Sequence, residues 1–492
     1  MRAAAGARRR DPSADVVVLE RGPYMSYSTC GIPYFVSGTI DDAQDLIARS
    51  PEEFREAGID VRPRCEVEEI DLRARTLTYR DHDARTERRE SFDTLVYATG
   101  ATAVKPPVPG AELAEPVRTV EGAERLLARL GQSADGAAAV VIGGGYLGIE
   151  MAEAFTSRGL GVTLVDRGDQ LMGTLDPDMA VHVQEAAEKA GIRVLLSTDV
   201  QEITAGRDGR PRAVATSAGE LAADHVVLST GARPATDLAA AAGLALGPTG
   251  AVRVDDHQRC PGHDGVYAAG DCAESRHRLL DAPVNVQLGT HANKQGRVAG
   301  TNATGGDVAF PGVSGTAVSR LCRYEVARTG LTEGEAAAAG VPVVAAKIEG
   351  RTRAGYYPGS GPIWVKLVAH AGDGRLLGGQ IVGVEGAAKR IDVLATAIWT
   401  ELAVGELEML DFGYAPPFSG VYAPLLIAAR QAANRVGAGA EGCRAGPPPP
   451  GPGSVQAAVA MRWSTASSRP STDSSNMGNS RLTALRVRAP CT

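Results

Sequence analysis

Short apolar runs that end in glycine or an acid alternate with alanine-rich stretches over most of the chain. "DVVVLE" (15–20), "TLVYATG" (94–100), "AAVVIGGG" (138–145), "GVTLVDR" (161–167), "HVVLSTG" (225–231) and "GVYAAGD" (265–271) are continuous rather than alternating in hydrophobicity. Strands buried on both faces of a parallel sheet read this way, so the pattern predicts parallel α/β domains. After about residue 310, "GPIWVKLVAH" and "LLGGQIVGVEG" lead into the helical stretch "AAKRIDVLATAIWTEL", an antiparallel α+β pattern and a further domain. From Gly437 onward, "GAGAEGCRAGPPPPGPGSVQ" and a Ser/Thr-rich remainder hold too few large apolar residues for a core. That composition predicts a disordered tail over 437–492 without a function of its own.

Length and charge narrow the classes. A chain of 492 residues exceeds one ordinary hydrophobic core, so two or three domains are expected. A net charge of -7, with no basic run beyond Arg8-Arg9-Arg10, argues against nucleic acid as a partner. The amino end lacks the apolar segment of a secretion signal, and no run reaches the roughly 18 apolar residues that span a bilayer. Seven scattered cysteines without a C-x-x-C pair suggest neither a disulfide framework nor a metal site. A cytoplasmic enzyme, free of membrane and metal, is the expectation.

The strongest local signal is "VVIGGGYLGIEMAEAF", in which Gly143, Gly145 and Gly148 form G-x-G-x-x-G between a strand and a helix, with Asp166 ending the next strand. The first glycine permits a tight turn, the second lets a pyrophosphate approach the backbone, and the third lets helix and strand pack closely. Asp166 can accept a hydrogen bond from a ribose 2′-hydroxyl and would repel a 2′-phosphate, which favours NADH; Arg167 beside it works the other way. A second dinucleotide site is assembled from distant pieces: Glu20 and Arg21 after one strand, Thr99 and Gly100 after another, and Gly270 and Asp271 after a third.

The order LERG, S-x-x-C-G-x-P-Y, ATG, GGGYLGIE, STGARP and AAGD, over residues 1 to about 436, resembles the FAD-dependent pyridine nucleotide-disulfide oxidoreductases. "MSYSTCGIPYFVSG" together with "DFGYAPPFSGVYAPLLIAAR" (411–430) is similar to their single-cysteine branch of coenzyme A-disulfide reductases, persulfide reductases and NADH oxidases. Phe35 stands where two-cysteine relatives carry the second thiol, and no His-Glu pair lies near Tyr414. The resemblance implies two Rossmann-like dinucleotide-binding domains plus a C-terminal α+β dimerisation domain. It implies FAD and NAD(P)H as cofactors, and a homodimer whose C-terminal domain completes the partner's active site. The domains would then run 1–112 and 246–309 for FAD, 113–245 for NAD(P), and 310–436 for dimerisation.

In the resembled family a strand and its glycine loop precede "ERG", whereas "MRAAAGARRRDP" reads as the remainder of the following helix. The expectation is that roughly a dozen residues are absent here, which leaves the central sheet position open and removes the main phosphate site, so that either the protein starts upstream of this Met1 or this chain binds FAD poorly.

Cys30 would act alone. A helix beginning over 31–36, with Pro33 in its first turn, would set Cys30 at a positive helix end and lower its pKa. The thiolate would attack a disulfide, persulfide or peroxide. By position in the matched motifs, Ser26, Thr29, Arg9, His291 and Tyr422 are expected to bind substrate, with Thr29 replacing a common asparagine. Tyr414 of the partner subunit is expected to offer its hydroxyl near the sulfur or flavin. Cys65, Cys260, Cys272 and Cys322 read as structural. The function expected is NAD(P)H-dependent reduction of CoA disulfide or a related small disulfide or persulfide. The alternatives are an NADH oxidase or peroxidase cycling Cys30 through sulfenic acid, and, because of the lacking loop, a noncatalytic dimeric nucleotide-binding scaffold.

Overall fold

Five strands make the sheet on which the first cofactor region is built: β1 (Asp15–Leu19), β2 (Ile59–Arg62), β3 (Thr94–Tyr97), β4 (Val266–Ala268) and β5 (Ala484–Arg488). Their order is β4-β3-β5-β1-β2. The computed structural model describes residues 1–134, 136–441 and 484–488. β1 runs parallel to β2, and β3 parallel to β4; β5 lies between the two pairs and is antiparallel to both neighbours. The continuous apolar runs are buried as expected, with residues 16–19 and 95–97 no more than 3 % exposed. On one face lies α1 (Arg2–Arg10), whose Ala3, Ala4 and Ala7 join Val16, Val18 and Val96 in one cluster. A Cβ on Gly300 would meet the Ala3 carbonyl oxygen at 2.0 Å, so glycine there lets α1 touch the helix Gly289–Asn302.

Two expectations are corrected here. The tail predicted to be disordered over 437–492 instead continues the helix Pro424–Glu441 through residues 437–441 and forms β5 at 484–488; the remainder, 442–483 and 489–492, lies outside the described residues. The central sheet position predicted to stand open is filled by β5. For β5 the physical reason lies in main-chain pairing. Buried backbone N–H and C=O groups on facing strand edges need partners, and a short period-two run elsewhere in the chain can supply them.

The second sheet is all parallel, in the order Arg193–Leu195, Gly161–Val165, Ala138–Ile142, His225–Leu228. α2 (Ile32–Ser37) packs on α3 (Tyr146–Ser157), which follows strand Ala138–Ile142. The C-terminal unit is an antiparallel five-stranded sheet spanning residues 317–383, covered by the helices Ile391–Trp399 and Pro424–Glu441. Among the described residues no helix is long and apolar enough to cross a membrane.

A buried ion cluster joins the second and C-terminal units. Lys366, 4 % exposed in its side chain, reaches Asp178 at 2.6 Å, Asp176 at 3.2 Å and Glu333. Gln380 donates to Asp176 at 2.6 Å. Burial alone would lower the lysine's pKa, but bonds to Asp178, Glu333 and Asp176 outweigh it and raise it. Removing the cation leaves three carboxylates facing one another, and breaking a buried pair in this way is strongly destabilising. Lys366→Ala is expected to lower the melting temperature by about 5 °C or more. Lys389→Ala, whose side chain is 83 % exposed, is expected to leave it in place; equal melting curves for the two variants would refute this account of the joint.

Candidate functional site

Cys30 sits in a single 3-10 turn, Thr29–Gly31, that runs directly into α2, with Pro33 in the first helical turn and Gly38 closing it in a left-handed conformation. The turn is pinned from behind: the Ser28 N–H donates to the Leu46 carbonyl at 2.8 Å, and a Cβ on Gly31 would meet the Leu46 side chain at 2.4 Å. Glycine at 31 is therefore required for the turn to lie this close to residue 46. Among the described cysteines Cys30 alone is exposed; Cys65, Cys260 and Cys272 are buried and Cys322 is partly so.

The helix start was foreseen, but the expected lowering of the thiol pKa is corrected. The protein around Cys30 pushes its pKa up, first by burial, then by the negative charges of Glu150 and Asp271, with Arg118 opposing. The helix at its back has only six residues, and its end does not outweigh burial and the two negative charges.

Cys30 and Thr29 share a cavity of about 160 Å³ with Gly100, Arg118, Gly270 and Asp271. Gly100 and Gly270 adopt φ of 69° and 87°, the left-handed turns that glycine favours. The Gly270 N–H donates to the buried Gln295 at 2.9 Å, and Arg118 lies 3.9 Å from Asp271. A second cavity of about 320 Å³ is lined by Glu20, Arg21, Tyr97 and Thr99. The Glu20 carboxylate accepts from the Gly22 N–H at 2.7 Å, and Arg21 reaches Glu66 at 3.5 Å. The hydroxyls of Tyr97 and Thr99 both donate to the Ala235 carbonyl, at 2.8 and 2.6 Å, and so tie the end of β3 to residue 235. The pieces expected to form one dinucleotide site line two cavities: Glu20, Arg21 and Thr99 the larger, Gly100, Gly270 and Asp271 the smaller. An acid that follows β1 thus lines the larger cavity, and the exposed thiol the smaller. The Met1 amine lies buried near Glu20, its pKa pushed down by burial to about 5.

The glycine loop at Gly143 has the geometry its motif requires. Gly143 has φ of 105°, Gly145 precedes α3 with open space where a Cβ would go, and a Cβ on Gly148 would meet the Gly143 carbonyl at 1.8 Å. Asp166 accepts from the N–H groups of Gly144 and Gly168, at 2.5 and 2.6 Å, so its carboxylate also fixes the loop it was expected to serve.

α3 carries a residue that the sequence reading missed, Glu150. It is mostly buried, accepts from the Ser319 hydroxyl at 2.7 Å, and has its pKa raised to about 7, chiefly by burial. The nucleotide loop begins this helix and Glu150 bears on Cys30 from its second turn. Arg118 was missed as well. Neither belongs to a recognisable spacing; Glu150 stands in the quoted "GGGYLGIE", and its carboxylate one turn past the glycine loop was the available signal.

The remaining candidates are dispersed. Ser26 is buried, its carbonyl accepting from the Ala48 N–H, and it does not line the Cys30 cavity. Arg9 is exposed in the last turn of α1. His291 is buried in the first turn of its helix, its pKa lowered by burial against a hydrogen bond to the Val286 backbone. Tyr414 and Tyr422 lie on an exposed aromatic patch with Tyr356, Phe418 and Val421, away from the lining of their own subunit's Cys30 cavity. A hydrogen bond with Tyr356 raises the Tyr414 phenol, and Arg430 stands over the Tyr422 ring at 5.8 Å.

Comparison with known proteins agrees with this arrangement. The chain is 37 % identical over 436 residues, 87 % of its length and 95 % of the relative's, to an NAD(P)H coenzyme A polysulfide/persulfide reductase of Pyrococcus horikoshii. It is 35 % identical over 433 residues, 87 % and 95 % of the two chains, to an NADH oxidase of Methanocaldococcus jannaschii. The solved structure of an NAD-dependent persulfide reductase from A. fulgidus superposes with a TM-score of 0.84 at 36 % identity, covering 88 % of this chain and 81 % of that one. The family model for pyridine nucleotide-disulphide oxidoreductases matches residues 1–296, and that for the family's dimerisation domain matches residues 316–424. With a mixed α/β fold, a glycine loop between strand and helix and an antiparallel C-terminal sheet, the chain belongs to the pyridine nucleotide-disulphide oxidoreductase family.

Proposed function

We propose that the chain uses NAD(P)H to reduce CoA disulfide, or a related small disulfide or persulfide, at Cys30. The observation that carries this reading is the exposed thiol of Cys30 in the lining of the cavity that Gly270 and Asp271 also line, with no second cysteine in that lining among the described residues. Relatives whose names specify CoA-dependent persulfide or polysulfide reduction support the same class. Glu20 and Arg21 would hold the adenosine end of FAD, and Thr99, Gly100, Gly270 and Asp271 the path towards Cys30. Gly143, Gly145, Gly148 and Asp166 would hold NAD(P)H. FAD, when bound, supplies the two-electron relay between nicotinamide and sulfur.

The protein's own part is displacement at sulfur. The Cys30 thiolate attacks one sulfur of RS–SR, the S–S bond breaks, RS⁻ leaves and takes a proton from solvent, and Cys30–S–SR remains. Release of the second thiol requires two electrons, for which NAD(P)H is the donor. Arg118 favours the thiolate; Glu150 opposes it when ionised and ceases to when protonated. Thr29 lies beside the sulfur to orient the acceptor, with Ser26, Arg9, His291 and Tyr422 as further candidate contacts and the partner's Tyr414 completing the site.

A noncatalytic dimeric nucleotide-binding scaffold is the reading of another class, and flavin content separates it from the enzyme. Purified chain is expected to carry the visible absorption bands of flavin; a colourless protein that takes up no FAD would favour the scaffold. The similarity to an NADH oxidase supports a second enzymatic reading, in which Cys30 cycles through sulfenic acid. Under anaerobic conditions CoA disulfide is expected to drive NADH oxidation, and Cys30→Ser to reduce it by at least about a hundredfold. Turnover with oxygen alone and none with CoA disulfide would select the oxidase.

The charge on Glu150 yields a separate prediction. As pH rises through about 7, Glu150 ionises and adds a negative charge that raises the Cys30 pKa. Glu150→Gln keeps an acceptor for Ser319 and removes that charge. Its Cys30 is expected to alkylate with iodoacetamide faster than the parent's at pH 8, by up to about tenfold for one pKa unit, and equally fast at pH 6. The folded-state pKa is raised, so the group's contribution to stability is present below 4.5 and lost between 4.5 and about 7. The Gln variant should lack that decline; equal alkylation at pH 8 would refute the coupling.

A further inference from the structure

Beyond β4 the chain folds around a cavity of about 520 Å³ that shares no lining residue with either cavity described above. We propose that it binds a small organic dication of the alkyl diamine class, one ammonium held inside by Glu274 and Gln258 and the other at a rim of aspartates. The inference goes beyond the reading of Cys30 and does not rest on it, because binding is measured without flavin, nicotinamide or turnover.

The site is built from a turn at 255–259, the hairpin of strands Ser275–His277 and Ala282–Val284, and Phe310. The Phe310 N–H donates to the Asp256 carbonyl at 2.7 Å, which fastens that ring beside the turn. Gln258 takes φ of 64°, a left-handed conformation uncommon for a residue with a side chain. Its N–H donates to the Asp255 carbonyl at 3.0 Å, and its own carbonyl accepts from the Ala268 N–H at 3.1 Å. The turn thereby commits Gln258 to the cavity lining, where it is 1 % exposed and its Oε1 has no hydrogen-bond partner among the described residues. A buried acceptor left unpaired is costly, and a donor brought by a ligand removes that cost.

Glu274 is the second buried acceptor, 5 % exposed. The Thr249 N–H and hydroxyl both donate to its Oε1, at 3.2 and 2.7 Å, which leaves Oε2 without a hydrogen bond among the described residues. A Cβ on Gly247 would overlap this carboxylate, so glycine there makes the room it occupies. Around the cavity, the carboxylates of Asp255, Asp256, Glu274 and Asp281 outnumber the guanidinium groups of Arg253 and Arg276, and Arg276 is already paired with Asp281. An ammonium inside the cavity is therefore met by a carboxylate and an amide oxygen, the pairing that a desolvated cation requires. Asp255, Asp256 and Asp281 are exposed and suit a second cation nearer to water, while Phe310 and Pro283 face an alkyl chain between them.

Asp255, Asp256 and His257 could also converge on a metal ion, but their atoms are engaged within the turn. Asp255 accepts from the N–H groups of His257 and Arg259 at 2.9 and 2.8 Å. The two ring nitrogens of His257 lie 2.7 Å from Asp256 and 3.1 Å from Asp307. The space beyond the turn is also far larger than an ion needs, which favours an organic cation.

Calorimetric titration of the full-length chain with putrescine is expected to show saturable binding, with butanediol inert and butylamine weaker by about threefold or more. Glu274→Gln keeps an acceptor for Thr249 and is expected to weaken putrescine binding at least about tenfold. Gln258→Gly suits the left-handed backbone, removes the acceptor and is expected to weaken it by about fivefold or more. Glu87→Gln, at an exposed acid on another sheet, is expected to change nothing. Absence of saturable putrescine binding, or equal binding by the parent and both cavity variants, would overturn the proposal. Equal affinity for the two amines would overturn the assignment to a dication, and a response to Mg²⁺ with none to putrescine would overturn it in favour of a metal site. Melting curves of the ligand-free variants check their folding; if Glu274→Gln does not fold, Gln258→Gly and the comparison of diamine with diol on the unmodified chain decide.

Discussion

The facing edges of β1 and β3 impose the constraint on which the cofactor region depends. Both strands are buried on both faces, so their inner N–H and C=O groups have no route to water. Each such group left unpaired costs about 1–3 kcal/mol, and a few of them together rival the roughly 5–15 kcal/mol that keeps a domain folded. Glu20 follows β1, and Thr99 and Gly100 follow β3. The acid after β1 and the turn after β3, which line the two cavities, are therefore positioned only if that gap is bridged. A five-residue antiparallel strand bridges it, and α1 then has one apolar surface to cover rather than two.

From the second sheet, α3 links the nucleotide loop to the thiol. Its start is fixed by Gly143 and Gly148, whose close contact leaves no room for a side chain, while Glu150 faces Ser319 of the C-terminal unit. Three parts of the chain thus meet at one carboxylate. The balance of charge at Cys30 follows from magnitudes. A helix end contributes about 0.3–1 kcal/mol in ordinary settings, and α2 is too short to exceed that. Burial with Glu150 and Asp271 acts against it, and the positive charge of Arg118 offsets part of that. The ionisation of Cys30 is thereby governed by Glu150 more than by the turn that holds it.

Much of this was legible in the chain. Strand positions followed from continuous apolar runs, although the strands themselves are shorter: "TLVYATG" contributes residues 94–97 to the sheet and spends the rest on a turn. The glycine loop at 143–148 and the exposed Cys30 were readable because their residue types have few other uses in that order. β5 was not, since five residues in a glycine-, proline- and serine-rich tail gain meaning only from edges more than 380 positions earlier in the sequence. Glu150 and Arg118 were invisible for a related reason: their effect on sulfur is a matter of distance across elements. Composition reports what a segment can bury by itself, and pairing reports what it can complete.

The C-terminal unit adds the last condition. Tyr356, Tyr414, Phe418, Val421 and Tyr422 leave an aromatic and apolar patch exposed on one subunit, of a kind that marks an association surface. The dimerisation-domain match covers residues 316–424 and so includes that patch, which fits a homodimer. Tyr414 does not line its own subunit's cavity, so any role beside a sulfur must be exercised across such an interface. The Lys366 cluster matters to that arrangement because it fixes the patch-bearing sheet to the unit that carries α3 and Glu150. A displacement at the joint would move Ser319 against Glu150 in one subunit and Tyr414 against the partner's site, so buried ion pairing far from Cys30 sets the precision with which both halves of the site are held.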